Sequence, residues 1–235
     1  KGGCEMVVAV KVIHPHLADE PQFVGMFLDE ARIAARIHHP HVVEILDLGE
    51  DEGVYYMIME LVEGENLAAL TKSHEETLPV TISLQIVSDA LAGLAAAHEL
   101  RDAQGRSYGL VHRDVSPHNL LINLEGWVKV ADFGIMKAAD KTSSTKTGEL
   151  RGKLAYMSPE QARGVDIDLR SDVFAVGVIL WELLTGRRLF ADRTEAATLE
   201  RVIRCEVPAL TRATAPALHD TDDESIAALD AVVAR

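Results

Sequence analysis

The spacing of apolar and polar positions changes character along this chain. Short runs of β-branched residues fill the first 62 positions: "VVAVKVI" at 7–13 with Lys11 inside it, "HVVEILDLGE" at 41–50 and "GVYYMIMEL" at 53–61. Each run predicts a strand, and "EDEG" at 50–53 predicts a hairpin turn between the last two. Between the first two runs, Phe23, Phe27, Leu28, Ala31, Ala34 and Ile37 recur at helical spacing. They predict a helix over 21–37, with Pro21 tolerated in its first turn. After "VEGENL" at 62–67 the pattern shifts. From Val80 to Leu100, apolar residues fall on nearly every helical face (Ile82, Leu84, Ile86, Val87, Leu91, Leu94, Ala97), as expected of a helix buried in a larger core. "GLVHR" (109–113), "NLLIN" (119–123) and "WVKVADF" (127–133) read as short β runs, 138–153 as a polar loop, and the rest as mostly helical. The pattern predicts an α+β chain of two lobes. A small β-rich lobe with one helix occupies 1–62, a larger mainly helical lobe occupies 63–235, and the hinge falls near Val62 and Glu63.

Composition narrows the possibilities. With 235 residues, 48% of them hydrophobic, the chain can bury a sizeable core. Its formal charge of −14 repels phosphate backbones, so no nucleic-acid partner is expected. Cys4 and Cys205 are far apart and form no metal-type pair, which fits a reducing, cytoplasmic setting. Apolar stretches such as "VFAVGVILWELL" (173–184) meet a charge before the roughly 18 apolar residues of a membrane span. No span and no signal peptide is expected in this chain, and anchoring by other regions stays open.

The polar residues then raise a chemical question. "VHRDVSPHN" (111–119) places Asp114 five residues before Asn119, and Asp132 follows in "DFG" (132–134). Two carboxylates and an amide on one loop edge are hard oxygen ligands, suited to Mg²⁺ and to accepting a proton. Upstream, Lys11 lies in a strand and Glu30 on the apolar-striped helix; a lysine on a buried side needs a carboxylate or phosphate partner.

Taken together and in order, "VAVK" ending in Lys11, Glu30 in "DEARIAARIHHPHVV", "HRDVSPHN", "DFG", "YMSPEQ" (156–161) and "RSDVFAVGVILWELLTG" around Asp172 resemble the eukaryotic-type protein kinases, in particular their bacterial serine/threonine branch. The resemblance runs from residue 7 to about 190 and implies a kinase-like two-lobed fold, ATP and Mg²⁺ as cofactors, and protein substrates. It implies that Asp114 takes the proton of the attacking hydroxyl, that Asn119 and Asp132 hold Mg²⁺, and that Lys11, oriented by Glu30, contacts the α and β phosphates. Met59 would bound the adenine pocket, unless it is core filler, and the backbone of Glu60 to Val62 would bond the adenine edge. His112 and Asp172 are expected to be structural, Asp172 as a helix N-cap or as the holder of the catalytic loop's backbone. Phe133 and Gly134 complete the "DFG" step as structural residues. Arg113 is either a surface charge or the partner of a phosphorylated segment. Thr142, Ser143, Ser144, Thr145 and Thr147 are the acceptors expected there, with a dimer as one route to autophosphorylation in trans.

Three departures stand out. No glycine-rich loop precedes Lys11, so the first lobe reads as incomplete. The second lobe stops before the arginine that in the family pairs with Glu160, which would leave a buried Glu160 unpaired. Ser116 occupies the place of the lysine that in the family reaches the γ-phosphate, while Lys153 stands where such kinases carry threonine. A displaced charge is the expectation, with Lys153 reaching the γ-phosphate from the other wall of the cleft; the alternative is a solvent-facing lysine. An active kinase is favoured over a nucleotide-binding pseudokinase or scaffold, since the metal and base residues are all present.

Overall fold

Side-chain alternation orients the first sheet. In the computed structural model, which describes residues 6–12, 21–74, 76–133 and 152–234, β1 (Val8–Val12), β2 (Ile45–Asp51) and β3 (Val54–Glu60) pair antiparallel in the order β1-β3-β2. Lys11 pairs with Met57 and Ala9 with Met59. Partners in register share a face, so Lys11 points to the side on which Met57 is buried, while Val10 and Val12 stay exposed. The β2–β3 hairpin turns through Glu52 and Gly53, both at positive φ, as a two-residue loop of the right twist requires. Helix α1 (Pro21–Ala34) is three residues shorter than its pattern predicts and sits against β2. It buries Val24, Phe27, Ala31 and Ala34 at helical spacing.

A second antiparallel sheet, in the order β4-β5-β6, consists of β4 (Gly64–Asn66), β5 (Leu120–Asn123) and β6 (Val128–Val130). Between β4 and β5 come α2 (Leu67–Ser73) and α3 (Val80–His98). The apolar pattern misses both β4 and α2. Asn66 is their local signal: it ends the strand and caps the helix, its side chain accepting from Ala69 N at 2.9 Å. Gly64 has no substitute in this geometry, because a Cβ there would lie 2.0 Å from the Ile122 carbonyl oxygen.

Helix α3 packs on β6 and on α5 (Arg170–Thr185). As expected of a core helix it buries Ile86, Val87, Leu94 and Ala97, but Ile82, Leu84 and Leu91, read as part of the same apolar pattern, remain exposed. By length and composition alone α3 could cross a membrane, contrary to the expectation of no such stretch, yet 44% of its apolar window is buried inside the fold. The remaining helices, α4 (Pro159–Arg163), α6 (Glu195–Arg204) and α7 (Asp223–Val233), complete a mainly helical half. A single apolar core spans both halves, from Phe27 and Met57 through Leu94 and Val130 to Ile179, Leu184 and Phe190.

Candidate active site

The "GLVHR" run is not a strand, and the reason is the foundation of the site. Its backbone donors turn to a side chain: Asp172, buried in the first turn of α5, accepts from His112 N at 2.8 Å and Arg113 N at 2.9 Å. His98 Nε2, at the end of α3, lies 2.7 Å from the same carboxylate. The cap reading of Asp172 is therefore corrected, since Leu169 precedes the helix; the loop-holding reading agrees with the geometry. Held this way, Arg113 adopts φ +64°, and Asp132 across the site adopts φ +55°. Such left-handed backbone costs a non-glycine residue about 1–2 kcal/mol and persists only where neighbours enforce it. Gln161 Nε2 on α4 adds a bond of 3.0 Å to the Arg113 carbonyl.

His112 is a strut. Fully buried, it bonds Ala131 O through Nε2 at 2.9 Å and accepts from Asp114 N through Nδ1 at 3.2 Å, which fixes the neutral tautomer. Its ring stacks at a tilt on Phe133, centroids 4.6 Å apart. Burial lowers its pKa, against the opposing pull of Asp172, Ala131, Asp114 and Asp132.

Asp114 then presents its carboxylate to Lys153 and Asn119. Oδ2 lies 3.0 Å from Lys153 Nζ and 3.3 Å from Asn119 Nδ2, and Asn119 Nδ2 also bonds the Asp114 carbonyl at 2.7 Å. With Nδ2 engaged, Oδ1 of Asn119 is the atom left to ligate. Lys11 Nζ bonds Asp132 Oδ1 at 2.6 Å. This lysine thus has a carboxylate partner, but it is Asp132; the side chain of Glu30, its expected partner, lies outside the described residues, as do Gly134, Thr142, Ser143, Ser144, Thr145 and Thr147. Asp132 and Asn119 offer hard oxygen donors beside a lysine, and that donor set fits Mg²⁺ carried on phosphates better than a protein-built metal cage. Among the described residues no cluster of three or more metal-binding side chains occurs.

Near the end of β3, the central strand of the first sheet, Met59 is half-buried against the core. The Glu60 carboxylate is committed, 2.6 Å from Lys129 Nζ and 2.9 Å from Glu44 N, and Glu60 N bonds Glu44 O, so a ligand contact there falls to its carbonyl and to Val62. Ser116 is buried, and its hydroxyl has no hydrogen-bond partner among the described residues.

Glu160 corrects another expectation. It is half-buried and bonded, accepting from Ser171 Oγ at 2.5 Å; burial pushes its pKa up, but the bonds from Ser171 and its other donors prevail and leave it low. Sequence reasoning also passes over a cluster around the buried Tyr156. Tyr156 donates to Glu182 at 2.8 Å, and Arg188 bonds both. Burial, reinforced by Glu182, raises the Tyr156 pKa.

The comparisons with known proteins agree with this geometry. A family described as "Protein kinase domain" matches residues 3–231. The chain is 43% identical over 208 residues to the tyrosine-protein kinase MasK of Myxococcus xanthus, covering 87% of this chain and 32% of that protein. It is 37% identical over 205 residues to the serine/threonine-protein kinase PrkC of Bacillus subtilis, covering 87% and 30%. It is also 39% identical over 201 residues to PknL of Mycobacterium tuberculosis, a serine/threonine-protein kinase, covering 86% and 48%. The chain thus spans about a third to a half of the length of these relatives. A crystal structure of the PknI kinase domain of M. tuberculosis superposes with a TM-score of 0.66 at 29% identity, covering 96% of this chain and 76% of that one. Its two-lobed fold and the match over nearly its whole length make this chain a member of the protein kinase domain family.

Proposed function

We propose that the protein is a serine/threonine protein kinase that moves the γ-phosphoryl group of ATP to hydroxyls of protein substrates. The observation that carries this reading is the carboxylate of Asp114, held on a braced loop between Asn119 and Lys153, with the Lys11–Asp132 pair nearby. Protein kinases as a family use ATP and Mg²⁺. Asp132 and Asn119 would hold the metal, which supplies neutralisation of phosphate charge. Asp114 accepts the substrate hydroxyl's proton as its oxygen bonds phosphorus and the bond to the β-phosphate oxygen breaks, leaving ADP. Lys11 passes from Asp132 to the α and β phosphates, with Glu30 orienting it. His112, Asp172 and Gln161 keep the loop in place and take no part in proton transfer. The division into lobes at Val62 and Glu63 is supported by the first sheet ending at Glu60 and the second beginning at Gly64.

Serine or threonine as acceptor rests on Pro117, on the absence of the tyrosine-kinase form of the catalytic loop, and on the names of PrkC and PknL. MasK carries the opposite name, so the acceptor must be measured. The full-length enzyme, given γ-labelled ATP and Mg²⁺ with a generic basic protein, should label that protein and its own 142–147 segment on serine and threonine. Asp114→Asn should abolish both. Phosphotyrosine as the main product would overturn the acceptor assignment, and nucleotide binding without transfer would place the protein among pseudokinases.

A further inference from the structure

Among the described residues, a cation from outside the catalytic loop lies against the proton acceptor. Lys153 Nζ lies 3.0 Å from Asp114 Oδ2, and while the Asp114 side chain is only 11% exposed, that of Lys153 is 34% exposed. One end of the ammonium is therefore anchored and the other is open. Its backbone is well fixed, because Leu154, Ala155 and Tyr156 follow immediately and are all buried, and Tyr156 N bonds Lys153 O at 3.1 Å. Ser116, two residues beyond Asp114, is turned into the interior and carries no charge.

Distances set by the chemistry bring the phosphoryl group within reach of this lysine. A hydroxyl that gives its proton to Asp114 sits about 2.6–3.2 Å from the carboxylate. Phosphorus in an attack-ready complex is about 3–3.5 Å beyond that oxygen. The phosphorus thus lies no more than about 6.7 Å from the carboxylate that Lys153 Nζ touches, so a phosphoryl group on the lysine's side of Asp114 brings its oxygens within reach of the ammonium. An ammonium has three donors on a flexible stem, so it can keep one on Asp114 and give another to a phosphoryl oxygen. The negative charge spread over those oxygens in a loose transition state needs such a cation.

We propose that Lys153 is a catalytic residue that contacts the γ-phosphoryl group directly, in place of a lysine at position 116. This rests on the kinase reading above and names the residue that completes its charge neutralisation. Without nucleotide, the same ammonium neutralises Asp114; with nucleotide, it bridges the proton acceptor and the group being transferred.

The test uses the full-length enzyme and two readouts, the Kd values of Mg²⁺-ATP and Mg²⁺-ADP, and kcat. In Lys153→Met, ADP affinity should stay near that of the parent, while the preference for ATP over ADP falls roughly threefold or more, the scale of a part-exposed ion pair. kcat should fall more than about tenfold, equivalent to ~1.4 kcal/mol. Lys153→Arg should recover part of both. A merely structural lysine would change both affinities together, so an unchanged ATP-to-ADP ratio overturns the proposal, as does a loss in kcat below about tenfold. If Lys153→Met loses ADP binding through misfolding, Lys153→Gln provides the same two readouts. Failure of the unmutated enzyme to transfer phosphate would instead count against the kinase reading, and the affinity ratio would still report on the contact.

Discussion

His112 shows how a residue inside a catalytic motif can act through burial rather than through protons. Both ring nitrogens are engaged by backbone groups, and its pKa is lowered from the ordinary value of 6.5, chiefly by desolvation. The folded protein therefore binds that proton only at a pH below the one at which the unfolded chain binds it. Below about pH 6.5 the unfolded state holds more protons at this site, so stability must fall as the pH falls. Denaturant unfolding of the full-length protein between about pH 7.5 and about pH 5.5 should show this loss, and His112→Asn, though less stable at both ends, should show a smaller slope. An equal slope in the variant would mean that His112 is not held neutral.

Helices and strands set the limits of what the sequence makes legible. Lys11, Asp114, Asn119 and Asp132 announce themselves through residue types that suit metal and phosphate and through an order that resembles the protein kinases, and the β1, β2, β3 and α3 patterns are long enough to show a period. β4 and α2 are too short for that, and Glu160 and "GLVHR" mislead because their partners, Ser171 and Asp172, come from another element, the start of α5. Gly93 on α3 is a further case that composition cannot reveal. Helix propensity alone says that Gly93→Ala should stabilise the protein by about 0.5–1 kcal/mol. The packing says otherwise: a Cβ there would lie 2.3 Å from the His41 carbonyl oxygen, which already accepts from Val130 N at 2.9 Å, and 3.2 Å from Val130 Cγ2. Displacing α3 from this backbone should cost about 1–3 kcal/mol, outweighing the propensity gain. Urea unfolding of Gly93→Ala should show the net loss, and a gain in stability would refute this close approach.

Across the whole molecule, the proposed nucleotide site is where the two sheets are tied together. Val43 N bonds Val130 O and Val130 N bonds His41 O, joining the approach to β2 with β6. Lys129 reaches Glu60, and Lys11 reaches Asp132 over 121 residues of sequence. The last pair is more than a third exposed on both sides, so on its own it contributes only about 0–1 kcal/mol. Its importance to the fold should therefore be small and its importance to ligand binding large. A nucleotide held at 100 times its Kd adds about 2.7 kcal/mol to stability. For a domain of this size that corresponds to a rise in Tm of about 5–11 °C. Mg²⁺-ATP should raise the Tm of the kinase domain in the full-length protein by that amount. In Lys11→Met the unliganded Tm should hardly move, while the nucleotide-induced rise at the same concentration should largely disappear. Loss of the unliganded fold in that variant would make Lys11–Asp132 a structural tie, and an undiminished rise would remove Lys11 from the phosphate site.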